Sequence, residues 1–376
     1  MIYAGMTGNK QFALRRQRWL VLLTTALMSA CAKKTISLPT SNCTLNANLN
    51  STLDGQDSLP VDSDSIEDIR NHFSGPENSS TTAPSGMLNI VGGSPSGNSD
   101  DQERTTSAVF IVNKSGNSSS ALHICSGVVA GKNVILTAAS CFDRPEGTVE
   151  QVTYATFKTE LQSLNNNTDL IAVREIILHP DHVTSDPEQT NFDIALLKLA
   201  ANVPETQLVA SFLTSNDTLT PNTEITAIGY GPTGSNNNDA GSKRRTNSFI
   251  KDLINETNYP GTPLQNQMRV SDTTPSKRGA CEGDSGGPGF LKNKAQVFGL
   301  VQGPHASVQG PNPTCELGDF NFTLIAPYMT WIEDKLGYKL NVSGEPQSVS
   351  VASGWISSSS GSNAHDTPDE NNTICR

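Results

Sequence analysis

Ser285 is the residue of this chain best placed for nucleophilic chemistry. It stands within Gly283-Asp284-Ser285-Gly286-Gly287-Pro288. A serine hydroxyl attacks a carbonyl from a tight, glycine-rich turn. The turn exposes the oxygen and points nearby backbone N–H groups at one spot, where they stabilise the charge developing on the substrate. The hydroxyl also needs a base, most often an imidazole. The histidines to draw from are His72, His123, His179, His182, His305 and His365. Taken alone, the string also fits a plain glycine-rich turn, and the motifs around it decide between the two.

Those motifs are Ile90-Val91-Gly92-Gly93, Leu136-Thr137-Ala138-Ala139-Ser140-Cys141, Asp193-Ile194-Ala195-Leu196-Leu197-Lys198-Leu199 and Gly229-Tyr230-Gly231. Cys281 precedes the serine string, and a helical stretch holding Trp331 and Ile332 follows it. In this order they resemble the chymotrypsin/trypsin-like serine protease family. The resemblance implies that Ser285 is the nucleophile, Asp193 the triad aspartate, and the N–H groups of Gly283 and Ser285 the oxyanion hole. It implies a zymogen switch, in which cleavage at Asn89-Ile90 frees an Ile90 amine to pair with Asp284. A trypsin-like activator would not cut after Asn89, so either another protease processes the bond or the motif serves as an uncut strand entry. Gly279, Gln302 and Gly303 fall where the family builds its specificity pocket. No cofactor is implied.

The departure is Ser140, which occupies the position of the family's triad histidine. A serine hydroxyl exchanges no proton near neutral pH and is shorter than an imidazole. Ser285 is thereby left without its base, and Asp193 without a ring to orient. Removing the base from a serine-protease triad costs about 10⁶ in kcat, roughly 8–9 kcal/mol of barrier. Of the other histidines, His72 and His365 lie in the flanks. By resemblance, His123 has a structural role near the GDSGG aspartate, and His179 and His182 sit in the loop before Asp193, where His179-Pro180 is a common family turn. His305 follows the strand resembling one cleft wall and is the candidate for a relocated base, the alternative being a solvated loop histidine. Gly279 stands where trypsin-like members carry an aspartate, so specificity is expected to be non-tryptic. Gln302-Gly303-Pro304 replaces the usual Ser-Trp-Gly, and Pro304 has no N–H for a substrate strand. Phe320 or Asn321 is expected to fill part of the pocket.

The elements that must hold these residues are short. Apolar or alternating runs recur at Ala108–Val112, His123–Val129, Val134–Leu136, Val149–Phe157, Ile171–Leu178, Ile194–Leu199, Ile225–Tyr230 and Val297–Val301, with turn residues between them. This pattern reads as an all-β barrel or sandwich. Ala326–Leu336 has the helical period, with Met329, Ile332 and Leu336 on one face. With the resemblance, the expected fold class is all-β: two antiparallel six-stranded β-barrels and a C-terminal helix. The first barrel would run from Ile90 to about Pro204 and the second to about Ile325, with the site between them.

Four regions follow. Residues 1–31 read as an export signal, with Lys10, Arg15, Arg16 and Arg18 before the apolar run Trp19–Met28. Leu27-Met28-Ser29-Ala30-Cys31 resembles the lipobox of bacterial lipoproteins, which implies lipidation of Cys31. The alternative is an ordinary signal peptide cut near Ala30 or Ala32. Residues 32–89 are a low-complexity tether or pro-segment, in which Ser63–Phe73 has a short helical period through Ile66, Ile69 and Phe73. Residues 90–340 are the protease-like domain, and residues 341–376 a low-complexity tail.

Export makes Cys43, Cys125, Cys141, Cys281, Cys315 and Cys375 disulfide candidates. Spacing leaves the connectivity open. The resemblance pairs Cys125 with Cys141 and Cys281 with Cys315. It leaves Cys43 and Cys375, one in each flank, either bonded to each other or unpaired. A formal charge of −11 argues against non-specific nucleic-acid binding. No His/Cys/carboxylate cluster has ligand spacing, so no metal is expected. The expected partners are a polypeptide substrate or protein ligand in the cleft and a membrane reached through the lipid anchor. The expected location is the bacterial cell envelope, or secretion if the anchor is absent. Two functions stay open: a catalytically inactive homologue serving as a binding or regulatory module, and an active endopeptidase using a relocated base.

Overall fold

The computed structural model describes Glu67, Ile69 and residues 94–114, 121–143, 150–165, 167–183, 191–235, 239–254, 265–272, 274, 277–303 and 314–354. The chain enters with β1 (Ser94–Pro95) and a one-turn helix, Asp101–Arg104. Asp100 caps that helix in a box with Glu103, each satisfying the other's free backbone N–H. Then come β2 (Thr106–Lys114), β3 (Ala121–Gly131), β4 (Val134–Thr137), β5 (Glu150–Thr156), β6 (Ile171–Leu178) and β7 (Ala195–Leu199). They close into a barrel in the order β2-β3-β4-β7-β6-β5. Val109, Ile111, Val129, Ile135, Leu197 and Leu199 form one buried cluster. The alternate residues of β2, Ala108, Phe110 and Val112, are buried in another. Strands buried on both faces read as continuous apolar runs, which is how Ala108–Val112 and Val134–Leu136 stand out in the sequence.

After β8 (Leu208–Val209) and β9 (Ser211–Phe212), the second barrel is built from β10 (Glu224–Gly229), β11 (Arg244–Ile254), β12 (Gln267–Ser271), β13 (Pro288–Leu291), β14 (Gln296–Gly303) and β15 (Asp319–Leu324). The path β11-β10-β13-β14-β15-β12 closes because β12 also pairs with β11. Between the barrels lies a third apolar layer. Leu136, Ile194 and Leu196 meet Ile228, Phe290 and Leu300 there, and Ile332 and Leu336 of the C-terminal helix Met329–Leu336 join them. The helix therefore packs where the two barrels meet. It ends at Gly337, whose φ of 74° is the left-handed cap that glycine adopts without steric cost.

Two boundaries differ from the sequence reading. β1 pairs with β11, so Ser94 and Pro95 belong to the second sheet although they precede the first barrel. Past residue 340 the ordered fold continues: β16 (Gln347–Ser348) pairs with β8, Val349 is buried in the first-barrel cluster, and Lys132 N–H donates to the Ser353 carbonyl at 2.9 Å. Backbone bonds, the Val349 and Ala352 side chains and a Gly344 N–H bond to Ser211 Oγ hold this stretch, so its composition gives little sign of it.

Candidate active site

The turn carrying Ser285 precedes β13 and is held from both barrels. Within it, Asp284 N–H donates to the Cys281 carbonyl at 3.0 Å, and Gly287 N–H to the Asp284 carbonyl at 2.9 Å. Gly283 sits at φ 91°, a conformation in which a side chain is strained. Gly286, at φ 83°, lies so close to Thr137 and the Ser126 carbonyl that a Cβ would overlap both. From the first barrel, Ser126 N–H donates to the Ser285 carbonyl at 2.8 Å. The Ser126 hydroxyl donates to the Gly283 carbonyl at 2.9 Å and accepts from Tyr230 N–H at 3.0 Å. Ser126 thus ties strand β3 to the nucleophile turn, a role that one serine beside Cys125 does not signal in sequence.

Asp284 is fully buried beneath the turn. It accepts from Gly231 N–H at 2.7 Å and from Cys281 N–H at 2.8 Å. Burial pushes its carboxyl up to about 6, against the lowering effect of these bonds and of the Arg244 charge. The Gly283 and Ser285 N–H groups make no hydrogen bond among the described residues, which leaves two donors open beside the serine.

Ser285 is half-buried, and its hydroxyl donates to the Gln302 carbonyl at 3.1 Å. Next to it, Gly303 has φ 97°, and a Cβ there would lie 3.5 Å from Ser285 Oγ. The Gln302 side chain turns away and donates to Thr323 Oγ1 at 2.8 Å. A Cβ on Gly279 would meet Gly318 Cα at 3.1 Å and the Cys315 carbonyl at 3.3 Å, so that wall is closely packed. Of the two residues expected near the pocket, Asn321 is buried and donates to Gln267 Oε1 at 3.2 Å. Phe320 is fully buried in the apolar cluster that includes Ala280 and Val301, the neighbours of Gly279 and Gln302.

Pairing of β4 with β7 sets Thr137 opposite Ala195 and so brings the residues beyond them together. Ser140, in the turn after β4, donates its N–H to Asp193 Oδ1 at 2.7 Å and its hydroxyl to Asp193 Oδ2 at 3.1 Å. Asp193 is buried. Burial raises its pKa, while the Ser140 bonds and the His182 charge act in the opposite direction.

His182 lies in the same neighbourhood, where sequence reading placed only a loop histidine. Its Nε2 bonds Asp143 Oδ1 at 2.8 Å, its side chain is 3% exposed, and its buried Nδ1 has no partner at hydrogen-bonding geometry. Burial opposes its positive charge, but the Asp143 bond and charge, the Asp193 charge and the Asn191 carbonyl outweigh it, so its pKa is raised. Asp143 and Asp193 are far from each other in sequence, and only the fold brings both to this ring.

The family model for Trypsin matches residues 95–332. The chain belongs to the trypsin family. Among the similar proteins is chymotrypsin-like elastase family member 1 of Homo sapiens, 27% identical over 263 residues covering 67% of this chain and 93% of the relative. The venom peptide isomerase heavy chain of Agelenopsis aperta is 26% identical over 186 residues, covering 48% of this chain and 75% of that protein. The solved structure of HL collagenase matches with a TM-score of 0.51 at 21% identity, over 66% of this chain and all of that one, a likeness of fold.

Within this trypsin-family frame both expected disulfides form. Cys125 and Cys141 have Cα atoms 6.4 Å apart, and Cys281 and Cys315 5.0 Å apart. His123 is exposed on β3 and makes no bond to Asp284 among the described residues. His179 is packed among Phe192, Tyr328 and Trp331 with ring centroids 4.8, 5.4 and 4.8 Å away, a structural role against the C-terminal helix. Cys31, Cys43, His72, Ile90, Pro304, His305, His365 and Cys375 lie outside the described residues.

Proposed function

We propose that this trypsin-family chain is a catalytically inactive or strongly impaired homologue acting as a binding or regulatory module on a lipid anchor. The observation that carries the reading is the Ser140–Asp193 contact. A group that moves no proton at neutral pH satisfies the carboxylate, and the Ser285 hydroxyl donates to a backbone carbonyl instead of to an imidazole. Phe320, buried in the apolar cluster that also holds Ala280, supports a second loss, in which it occupies space a substrate side chain would need. What persists is the frame: the turn, the two open N–H donors and the buried Asp284. That frame suits recognition of a polypeptide in the cleft without cleaving it. The lipobox-like segment ending at Cys31 supports location at the bacterial cell envelope. The experiment is a mass-spectrometric digest of a peptide library by the chain cut at Asn89-Ile90, beside its Ser285→Ala variant. Equal absence of new termini is expected, and cleavage that vanishes in the variant would overturn the proposal.

The second reading, an active endopeptidase with a relocated base, has one observation in its favour. His182 is close enough to Asp193 for each to influence the other's charge. Against it, no hydrogen bond among the described residues joins His182 to Asp193 or Ser285.

A further inference from the structure

Ile69 precedes the Asn89-Ile90 bond, yet its side chain is fully buried. It is helical and belongs to the cluster of Phe110, Tyr154, Leu161, Leu164, Leu170 and Tyr230 on the outer side of the first barrel. Glu67, two positions away, is exposed. Alternation of a buried isoleucine with an exposed glutamate is what a segment lying across an apolar surface shows. Glu67 and Ile69 also belong to one compact unit with the rest of the fold.

We infer that the pro-segment is docked on the first barrel through Ile69, and that it stays bound after the chain is cut before Ile90. The occupant of this surface is therefore the chain's own segment around Ile69, and cleavage alone does not free the domain from whatever precedes Ile69. Tyr230 gives the docking a structural link to the site. It shares the Ile69 cluster, and its N–H is held by the Ser126 hydroxyl that also binds the Gly283 carbonyl. The docking does not depend on whether the site is active. Its consequence for membrane release rests on the lipid reading of Cys31.

The test uses the full chain in a Cys43→Ser, Cys375→Ser background, so that no disulfide between the flanks can hold the pieces. A specific protease site is introduced just before Ile90, and the cut protein is run on a sizing column at micromolar concentration. The pro-segment is expected to co-elute with the domain. With Ile69→Asp it should be retained at least tenfold less, in line with losing one buried aliphatic side chain. Glu67→Ala should change nothing. If Ile69→Asp does not fold, Ile69→Ala gives the same readout with a smaller loss. Release of the wild-type segment on cutting, or wild-type retention in a folded Ile69 variant, would overturn the inference. Neither result depends on peptide turnover, so this failure is distinct from failure of the functional reading.

Discussion

Ser140 donates to both carboxylate oxygens of Asp193, through its N–H at 2.7 Å and its hydroxyl at 3.1 Å. The buried aspartate is thereby satisfied locally, with no ring between it and Ser285. An unpartnered buried carboxylate would be costly, and a serine at position 140 removes that cost without restoring proton transfer. In the proposed reading, the framework thus keeps its polar network while the chemistry is withdrawn.

The first prediction concerns the tie between the barrels. In Ser126→Ala the Gly283 carbonyl and the Tyr230 N–H both lose their buried partner. The expected loss is about 1–3 kcal/mol of stability, read from denaturant midpoints. An unchanged midpoint would show that the nucleophile turn does not depend on strand β3.

Residues such as Ser126 mark where sequence reading stops. The barrels were legible because β2 and β4 carry uninterrupted apolar runs, Ala108–Val112 and Val134–Leu136, and the family resemblance of the short motifs named Ser285, Asp193 and both disulfides. Strand β11 was missed because its inward positions include Arg244, Thr246 and Ser248, which are buried but polar, so no hydrophobic alternation shows. The Asp143–His182 contact was missed because a hydrogen bond between distant loops leaves no local pattern. The tail past residue 340 was misjudged for a related reason, since backbone pairing such as that of β16 with β8 leaves no hydrophobic pattern to read.

Phe320 gives the second prediction. Phe320→Ala should cost about 3–5 kcal/mol as a large-to-small change in a packed cluster. It should also open space beside Ala280, measurable as weak binding of small aromatic amidines or phenols absent in the wild type. Stability loss without new binding would place Phe320 in the barrel core alone.

Lys243 supplies a pH signature. It is fully buried, donates to Asn98 Oδ1 at 2.8 Å and to the Glu103 and Thr106 carbonyls at 3.0 and 3.1 Å, and burial lowers its pKa to about 7. Between about pH 7 and its ordinary value of 10.5 the unfolded chain holds a proton that the folded chain has released. Stability should therefore rise with pH across that window and be flat for this group below it. Lys243→Met should flatten the rise, as measured by unfolding at stepped pH. An identical slope in the variant would contradict the assignment.

The anchor is tested separately. Cys31→Ala in a bacterial host should move the protein from the membrane fraction to the soluble fraction, because in the lipid reading acyl chains on Cys31 supply the membrane affinity. Unchanged partition would remove the lipid reading while leaving the fold untouched.

The central claim is that Ser285 retains its turn and its two open N–H donors and lacks a base. The most direct measurement is the rate of labelling by a fluorophosphonate probe, compared between the wild type and Ser140→His after cutting at Asn89-Ile90. The account predicts slow labelling of the wild type and labelling at least about 10²-fold faster in Ser140→His, in the range that general-base catalysis supplies. Wild-type labelling as fast as that of Ser140→His, and abolished by Ser285→Ala, would contradict it.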